Sequence, residues 1–311
     1  MFARKSLPGP SRPTRGASGA SEGGRVADSL KVRTAVGLCL IAGISGLMAL
    51  DAWSGFGYGA IALCVALTGV GLWEYARMAQ SAGPVATAPL VLSGVLYTAV
   101  KGLGYQLDPR LHEALPLIAV AGAYWVFFSC LSGAPSLARF RGLCATAFGF
   151  FYLPFLGGFA LDVRFLDVAR VGEAGFYYVI TIAKGTDVFA YYFGKFLGRR
   201  KIVPSVSPGK TGAGFVGAIV GGVCITCGFA AYTSLGEFLP LALAPGVGIV
   251  MALIVVSGDL IESFIKRSAE VKDSARLLPN FGGVLDIVDS VLVAAPPVHF
   301  LLWVLIARSG A

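Results

Sequence analysis

Only 14% of the 311 residues are charged, against roughly 25% in soluble globular domains. So few charges cannot clothe a water-facing surface, which argues against a soluble multidomain enzyme. There are only two histidines, His112 and His299, too few to build a histidine metal cluster. Six cysteines, at 39, 64, 130, 144, 224 and 227, all fall within apolar runs, so no disulfide framework is expected. Cys224 and Cys227 have CxxC spacing, but neither a βαβ context nor a second Cys or His pair accompanies them. What fills the chain is hydrophobic residues, 56% of the total, with a mean hydropathy of +0.76. This composition excludes disorder over most of the length and points to an all-α, polytopic membrane protein.

Residues 1–33 stand apart, rich in Gly, Ser, Pro and Arg without apolar periodicity, and read as a disordered basic tail. A transit peptide would share that composition, but an apolar run follows at once, which favours a cytoplasmic tail. Apolar runs near 34–50, 55–73, 84–101, 114–132, 143–161, 175–194, 212–232, 239–262 and 284–307 predict about nine transmembrane helices. We divide them into an N-terminal set, 34–162, and a C-terminal region, 163–311, which carries the chemistry. With the N-terminus inside, 19 Lys and Arg fall on the cytoplasmic side and 5 on the other, as the positive-inside rule requires. The net charge of +8 then reflects topology and attraction to anionic membrane lipid, and needs no nucleic acid. Plasma (inner) membrane is the expected location.

Charges inside apolar segments are costly and are functional candidates by default. The first five runs offer almost none. The C-terminal region offers three clusters. Lys184 and Asp187 are three apart, hence on one helix face; they suit either an interhelical ion pair or contacts to phosphate and to a metal or nucleotide. Ser207-Pro208-Gly209-Lys210-Thr211-Gly212 enters a helix as a Gly-rich turn able to cradle phosphate. It is not a P-loop, because Pro204 occupies the position of the first glycine. The third cluster is the densest. Asp259, Glu262 and Lys266 share a helical spacing, and Asp286 and Asp289 are three apart at the start of the last run. Two carboxylates on one helix facing a third on another form a hard-oxygen site suited to Mg²⁺ and substrate phosphates. Lys266, Arg267, Lys272 and Arg276 would face polyphosphate. Ion pairs capping two spans are the alternative. A site near the cytoplasmic interface would take a nucleotide from water and a lipid from the bilayer.

These motifs resemble the phosphatidate cytidylyltransferase (CDP-diacylglycerol synthase) family. The run Ser263-Phe264-Ile265-Lys266-Arg267, four residues, Lys272-Asp273, then Pro279, Gly282-Gly283, Asp286 and Asp289 follows the family signature without a gap. Asp187, Ala190-Tyr191 and Gly194-Lys195 match an upstream element, as do Ser207-Pro208, Lys210-Thr211 and Gly214, and Gly258-Asp259-Leu260 with Glu262-Ser263. The resemblance covers roughly residues 180–295; the earlier spans match in hydropathy alone. Phe281 stands where the family has histidine and Ile287 where it has arginine, and Gly209, Gly212 and Ala213 replace the usual lysine, tryptophan and glutamate.

The resemblance implies transfer of CMP from CTP to phosphatidate, giving CDP-diacylglycerol and pyrophosphate. It implies catalytic roles for Asp259, Lys266, Arg267, Lys272, Asp273, Asp286 and Asp289, with Asp259, Asp286 and Asp289 as the metal set. Lys184, Asp187, Ser207, Lys210, Thr211, Gly282 and Gly283 would bind substrate. Mg²⁺ is the expected cofactor, with a second metal ion left open, as is a homodimer. A CTP-dependent transferase or kinase acting on another lipid, an inactive homologue and a transporter with an intramembrane acid pair are the rival readings. Transporters often carry repeats and broken helices in both halves, whereas here the polar groups crowd into one.

Overall fold

The computed structural model describes residues 39, 42–131, 133–166, 170–271, 274–275 and 282–309. The basic tail therefore lies outside the described residues, as do Lys272, Asp273, Arg276 and Phe281. Among the described residues the regular structure is helical, with an isolated β-bridge between Lys201 and Thr211. The helices are α1 (42–54), α2 (Tyr58–Ala79), α3 (Thr87–Gln106), α4 (Leu115–Cys130), α5 (Leu137–Phe150), α6 (Leu156–Arg164), α7 (Val171–Leu197), α8 (Gly212–Tyr232), α9 (Ala244–Ser268) and α10 (Leu285–Ser309).

Among the described residues six segments are long and apolar enough to cross a membrane: Tyr58–Ala79, Pro109–Cys130, Leu137–Arg164, Gly212–Tyr232, Ala244–Ser268 and Leu285–Ser309. The chain is thus a helical integral membrane protein. The third segment joins α5 to α6 through a single π-helical turn, Phe151–Phe155, which contains Pro154. Proline cannot donate to the helical ladder, and a widened turn absorbs that defect. The apolar run at 143–161 is accordingly the middle of a longer helix, Leu137–Arg164. α7 is also longer than its apolar run; charged residues, Glu173 and Lys195 among them, occupy its two end turns.

Local chemistry sets several helix starts. Ser136 caps α5 by accepting from the Arg139 amide at 3.2 Å, and Thr211 caps α8 by accepting from the Gly214 amide at 3.1 Å. Asp51, near the end of α1, accepts from the Gly59 and Ala60 amides at 2.7 and 2.9 Å and so caps α2 from a neighbouring helix. Without a hydrophobic drive between helices in lipid, close backbone approach does the packing. At the α8–α9 crossing a Cβ on Gly222 would lie 2.5 Å from the Gly248 carbonyl oxygen, and one on Gly248 would lie 2.6 Å from that of Gly222.

α10 belongs to both large apolar cores. Its first half (Leu285, Val288, Leu292) packs with Leu72, Tyr75, Leu90 and Leu153 of the N-terminal helices. Its second half (Ala294, Ala295, Val298, Leu302) packs with Val179, Ile182, Met251 and Val255 of α7 and α9. The helix bearing Asp286 and Asp289 is therefore the joint between the two halves.

Candidate active site

Four elements converge on a cavity of about 550 Å³, to which they turn Asp187, Lys210, Asp259, Glu262, Lys266, Asp286 and Asp289. α9 supplies Asp259, Glu262 and Lys266 from one face, because their spacing of three and then four residues follows the helical repeat. The first turns of α10 supply Asp286 and Asp289, α7 supplies Asp187, and the loop entering α8 supplies Lys210.

Three lysines tie these elements together. Lys210 Nζ lies 2.6 Å from Asp259 and also donates to the Val256 carbonyl. Lys266 Nζ lies 2.8 Å from Glu262 and 3.0 Å from Asp286, linking α9 to α10. Lys184 Nζ lies 3.2 Å from Asp289 and 3.8 Å from Asp187, linking α7 to α10. Ser290 Oγ donates to Asp289 at 3.0 Å and lies 3.3 Å from Asp187. Among the described residues, five carboxylates thus share three lysines through ion pairs. Inside a helical bundle a surplus of acids over bases in such pairs is expensive.

The surplus is concentrated at one point. One oxygen from each of Asp259, Glu262 and Asp289 falls within 4.8 Å of the others, close enough to hold one metal ion. Glu262 is 1% exposed, and its Oε1 has no hydrogen-bond partner among the described residues. A buried carboxylate oxygen left bare is costly, and a hard cation would satisfy it. Of the expected metal set, Asp259 and Asp289 meet in this group together with Glu262, and Asp286 lies outside it. Asp286 is already engaged, accepting from Lys266, from the Gly283 amide at 2.8 Å and from the Ser274 amide at 3.2 Å.

The other candidates divide. Lys184, Asp187, Lys210, Thr211, Asp259, Lys266, Asp286 and Asp289 come together. Thr211 lines the cavity while its hydroxyl caps α8. Arg267 points away; it is exposed and donates to the Val271 carbonyl at 3.3 Å. Ser207 does not line the cavity and closes a turn through its carbonyl, which accepts from the Lys210 amide. Gly282 and Gly283 shape the backbone. Gly282 has φ 88°, and the Gly283 amide is given to Asp286. Lys272 and Asp273 lie outside the described residues.

Two residues of the N-terminal half were not singled out by sequence reasoning. Glu74 of α2 is fully buried and accepts from the Val284 amide at 2.9 Å, the Leu285 amide at 2.8 Å and Ser274 Oγ at 3.2 Å. Tyr152, on the π turn, is 2% exposed with no partner for its hydroxyl among the described residues. A lone Glu in an apolar run was the available signal for the first; the second carried none.

The profile of the cytidylyltransferase family matches residues 31–305. A Haemophilus influenzae protein named phosphatidate cytidylyltransferase is 31% identical over 289 residues, 86% of this chain and 96% of that protein. One of the same name from Pseudomonas aeruginosa is 36% identical over 245 residues, 76% of this chain and 85% of its own length. The like-named Bacillus subtilis protein is 38% identical over 147 residues, covering 46% of this chain and 51% of that protein. On the match across nearly all of its helices, the chain belongs to the cytidylyltransferase family.

Proposed function

We propose that this protein is a phosphatidate cytidylyltransferase, transferring CMP from CTP to phosphatidate and releasing pyrophosphate. The single observation that carries the chemistry is the bare, buried Oε1 of Glu262 beside Asp259 and Asp289, at the floor of a cavity rimmed by lysines. The lipid phosphate oxygen forms the new bond to the α-phosphorus of CTP, and the bond from that phosphorus to the bridging β-phosphate oxygen breaks. A phosphate monoester is largely dianionic near neutral pH, its second pKa being about 6 by comparison with phosphorylated side chains, so the nucleophile needs no strong protein base.

The acid trio fits Mg²⁺, with Asp259, Glu262 and Asp289 as its ligands; such an ion, when bound, neutralises charge on the phosphoryl oxygens. The chain's own work is positioning. Lys210 and Lys266 line the cavity and exchange carboxylate partners for phosphate oxygens as CTP enters. Lys184 stays behind Asp289 and holds it in place. Tyr191, Val256 and Leu260 form an apolar wall against which a lipid glycerol can rest.

We place this site at the cytoplasmic end of nine membrane-crossing helices with the N-terminus inside, which supports access for CTP. The six apolar segments are joined in that count by α1, α3 and α7. Cysteine labelling at Ser207 and at Gly310 tests the topology: the odd count puts them on opposite sides, and labelling from one side excludes it. The activity is tested by incubating purified protein with labelled CTP, Mg²⁺ and defined phospholipid acceptors. Label recovered as CDP-diacylglycerol only with phosphatidate supports the reading. Transfer to a different lipid, or none to any, overturns it.

A further inference from the structure

We infer that Glu74 is a positioning residue for this reaction: a carboxylate from the N-terminal half that holds the first turn of α10, and with it Asp286 and Asp289, in place against α9. The inference rests on the function proposed above.

Glu74 has no lysine or arginine partner among the described residues, although it is fully buried in an apolar helix. Its compensation is the N-terminus of α10. The opening amides of a helix are unsatisfied and carry partial positive charge. Val284, preceding α10, has no side chain able to cap, so Glu74 caps from α2, with one oxygen on the Val284 amide and the other on the Leu285 amide. Asp286 takes the Gly283 amide. Three successive amides are thus consumed by carboxylates, and none of them is free for a phosphate.

The approach is tight. A Cβ at Gly283 would lie 2.3 Å from Glu74 Oε2 and 2.2 Å from Ser274 Oγ, so the glycine is what allows the cap to seat. The consequence for the site follows from shared partners. Asp286 divides its oxygens between Lys266 and the amides of Gly283 and Ser274. Without Glu74, the opened amides of Val284 and Leu285 compete for Asp286, which draws it from Lys266 and frees α10 to rotate. Asp289, one turn further on, then leaves its register with Asp259 and Glu262.

The test is a mutant cycle on the full-length purified protein. It compares Glu74→Ala, Glu74→Gln, Gly283→Ala and the Glu74→Ala/Gly283→Ala double variant, with CMP transfer measured against CTP and Mg²⁺ concentration. Backbone hydrogen exchange at 283–285 is read in parallel. Glu74→Ala is expected to lower kcat about 100-fold while the KM for CTP changes little, because substrate-binding lysines remain. Glu74→Gln, which keeps one acceptor, recovers part of the loss. Gly283→Ala alone is harmful but adds little to Glu74→Ala, since the carboxylate it clashes with is gone and Ser274 is released; such non-additivity marks direct coupling. Exchange at Val284 and Leu285 rises about tenfold or more in Glu74→Ala while the rest of α10 keeps its protection. Parental kcat in Glu74→Ala overturns the inference, as does additivity in the cycle with losses that track only the folded fraction. If Glu74→Ala does not fold, the Gln and Gly283→Ala variants carry the same comparison. A parent protein silent toward every lipid overturns the functional reading instead, and the exchange measurement then still reports whether the tether exists.

Discussion

Each half of the molecule buries a polar centre, and they are finished to different degrees. In the N-terminal half Lys101 Nζ lies 2.7 Å from Asp162, Tyr105 donates to the same carboxylate at 2.8 Å, and the ammonium sits 5.0 Å from the centre of the Phe159 ring. One cation faces one anion, and both carboxylate oxygens are used. Among the described residues of the C-terminal half, three lysines serve five carboxylates, one oxygen has no hydrogen-bond partner, and a cavity opens beside them. Charge alone does not distinguish structure from chemistry inside a membrane. The distinguishing feature is whether the charges satisfy each other without a visitor.

That contrast breaks first at the acid trio. Glu262→Gln and Asp289→Asn should each cut CMP transfer by about 100-fold or more, about 2.7 kcal/mol of transition-state stabilisation, with expression and folded yield retained. Asp286→Asn should cost nearer tenfold, because Asp286 serves Lys266 and backbone amides. A larger loss at Asp286 than at Glu262, in side-by-side assays of purified variants, would return Asp286 to the metal set.

Next is the N-terminal pair. Lys101→Met strands a buried carboxylate, which costs about 3–5 kcal/mol when one partner is removed. Thermal unfolding in detergent should show a lowered midpoint, with turnover per folded molecule unchanged. Replacing both partners, as Lys101→Met with Asp162→Leu, should recover most of the loss. If turnover falls while stability holds, the centre takes part in the reaction and the contrast fails.

Smaller again is Lys210→Ala. A charged hydrogen bond contributes about 1.5–3 kcal/mol, so the KM for CTP should rise about tenfold or more with a lesser change in kcat. The least effect is expected from Phe281→His with Ile287→Arg. The reacting phosphate is already ionised, so neither side chain is needed to generate the nucleophile. Labelled CMP incorporation should therefore move within about fivefold. A silent parent switched on by the double change would mark the chain as an inactive homologue.

Much of this was written locally. Apolar runs predicted helices because each helix satisfies its own backbone in lipid, and α8 begins at Gly212 behind its Thr211 cap, where the run at 212–232 begins. Spacings of three and four residues put Lys184 with Asp187, and Asp259 with Glu262 and Lys266, on shared faces. Helix ends were less legible. α9 continues to Ser268, past the last apolar residue of its run, because Lys266 and Arg267 belong to its final turn. The resemblance implied substrate-binding roles for Gly282 and Gly283; in the structure the Gly283 amide is given to Asp286, and a Cβ at Gly283 would meet Glu74 and Ser274.

By itself the sequence determined that this is a helical membrane protein and gathered its candidate site residues in the C-terminal half, since hydropathy and i,i+3 spacing are properties of neighbours along the chain. The tertiary structure alone decided which acids meet. Oxygens of Asp259, Glu262 and Asp289 lie within 4.8 Å of one another, and Glu74 accepts from the amide of Val284, 210 positions away. Spacing along one helix says which side chains share a face. It cannot say how far that face is turned towards another helix, because that depends on contacts between residues distant in sequence, such as Glu74 with the amides of Val284 and Leu285.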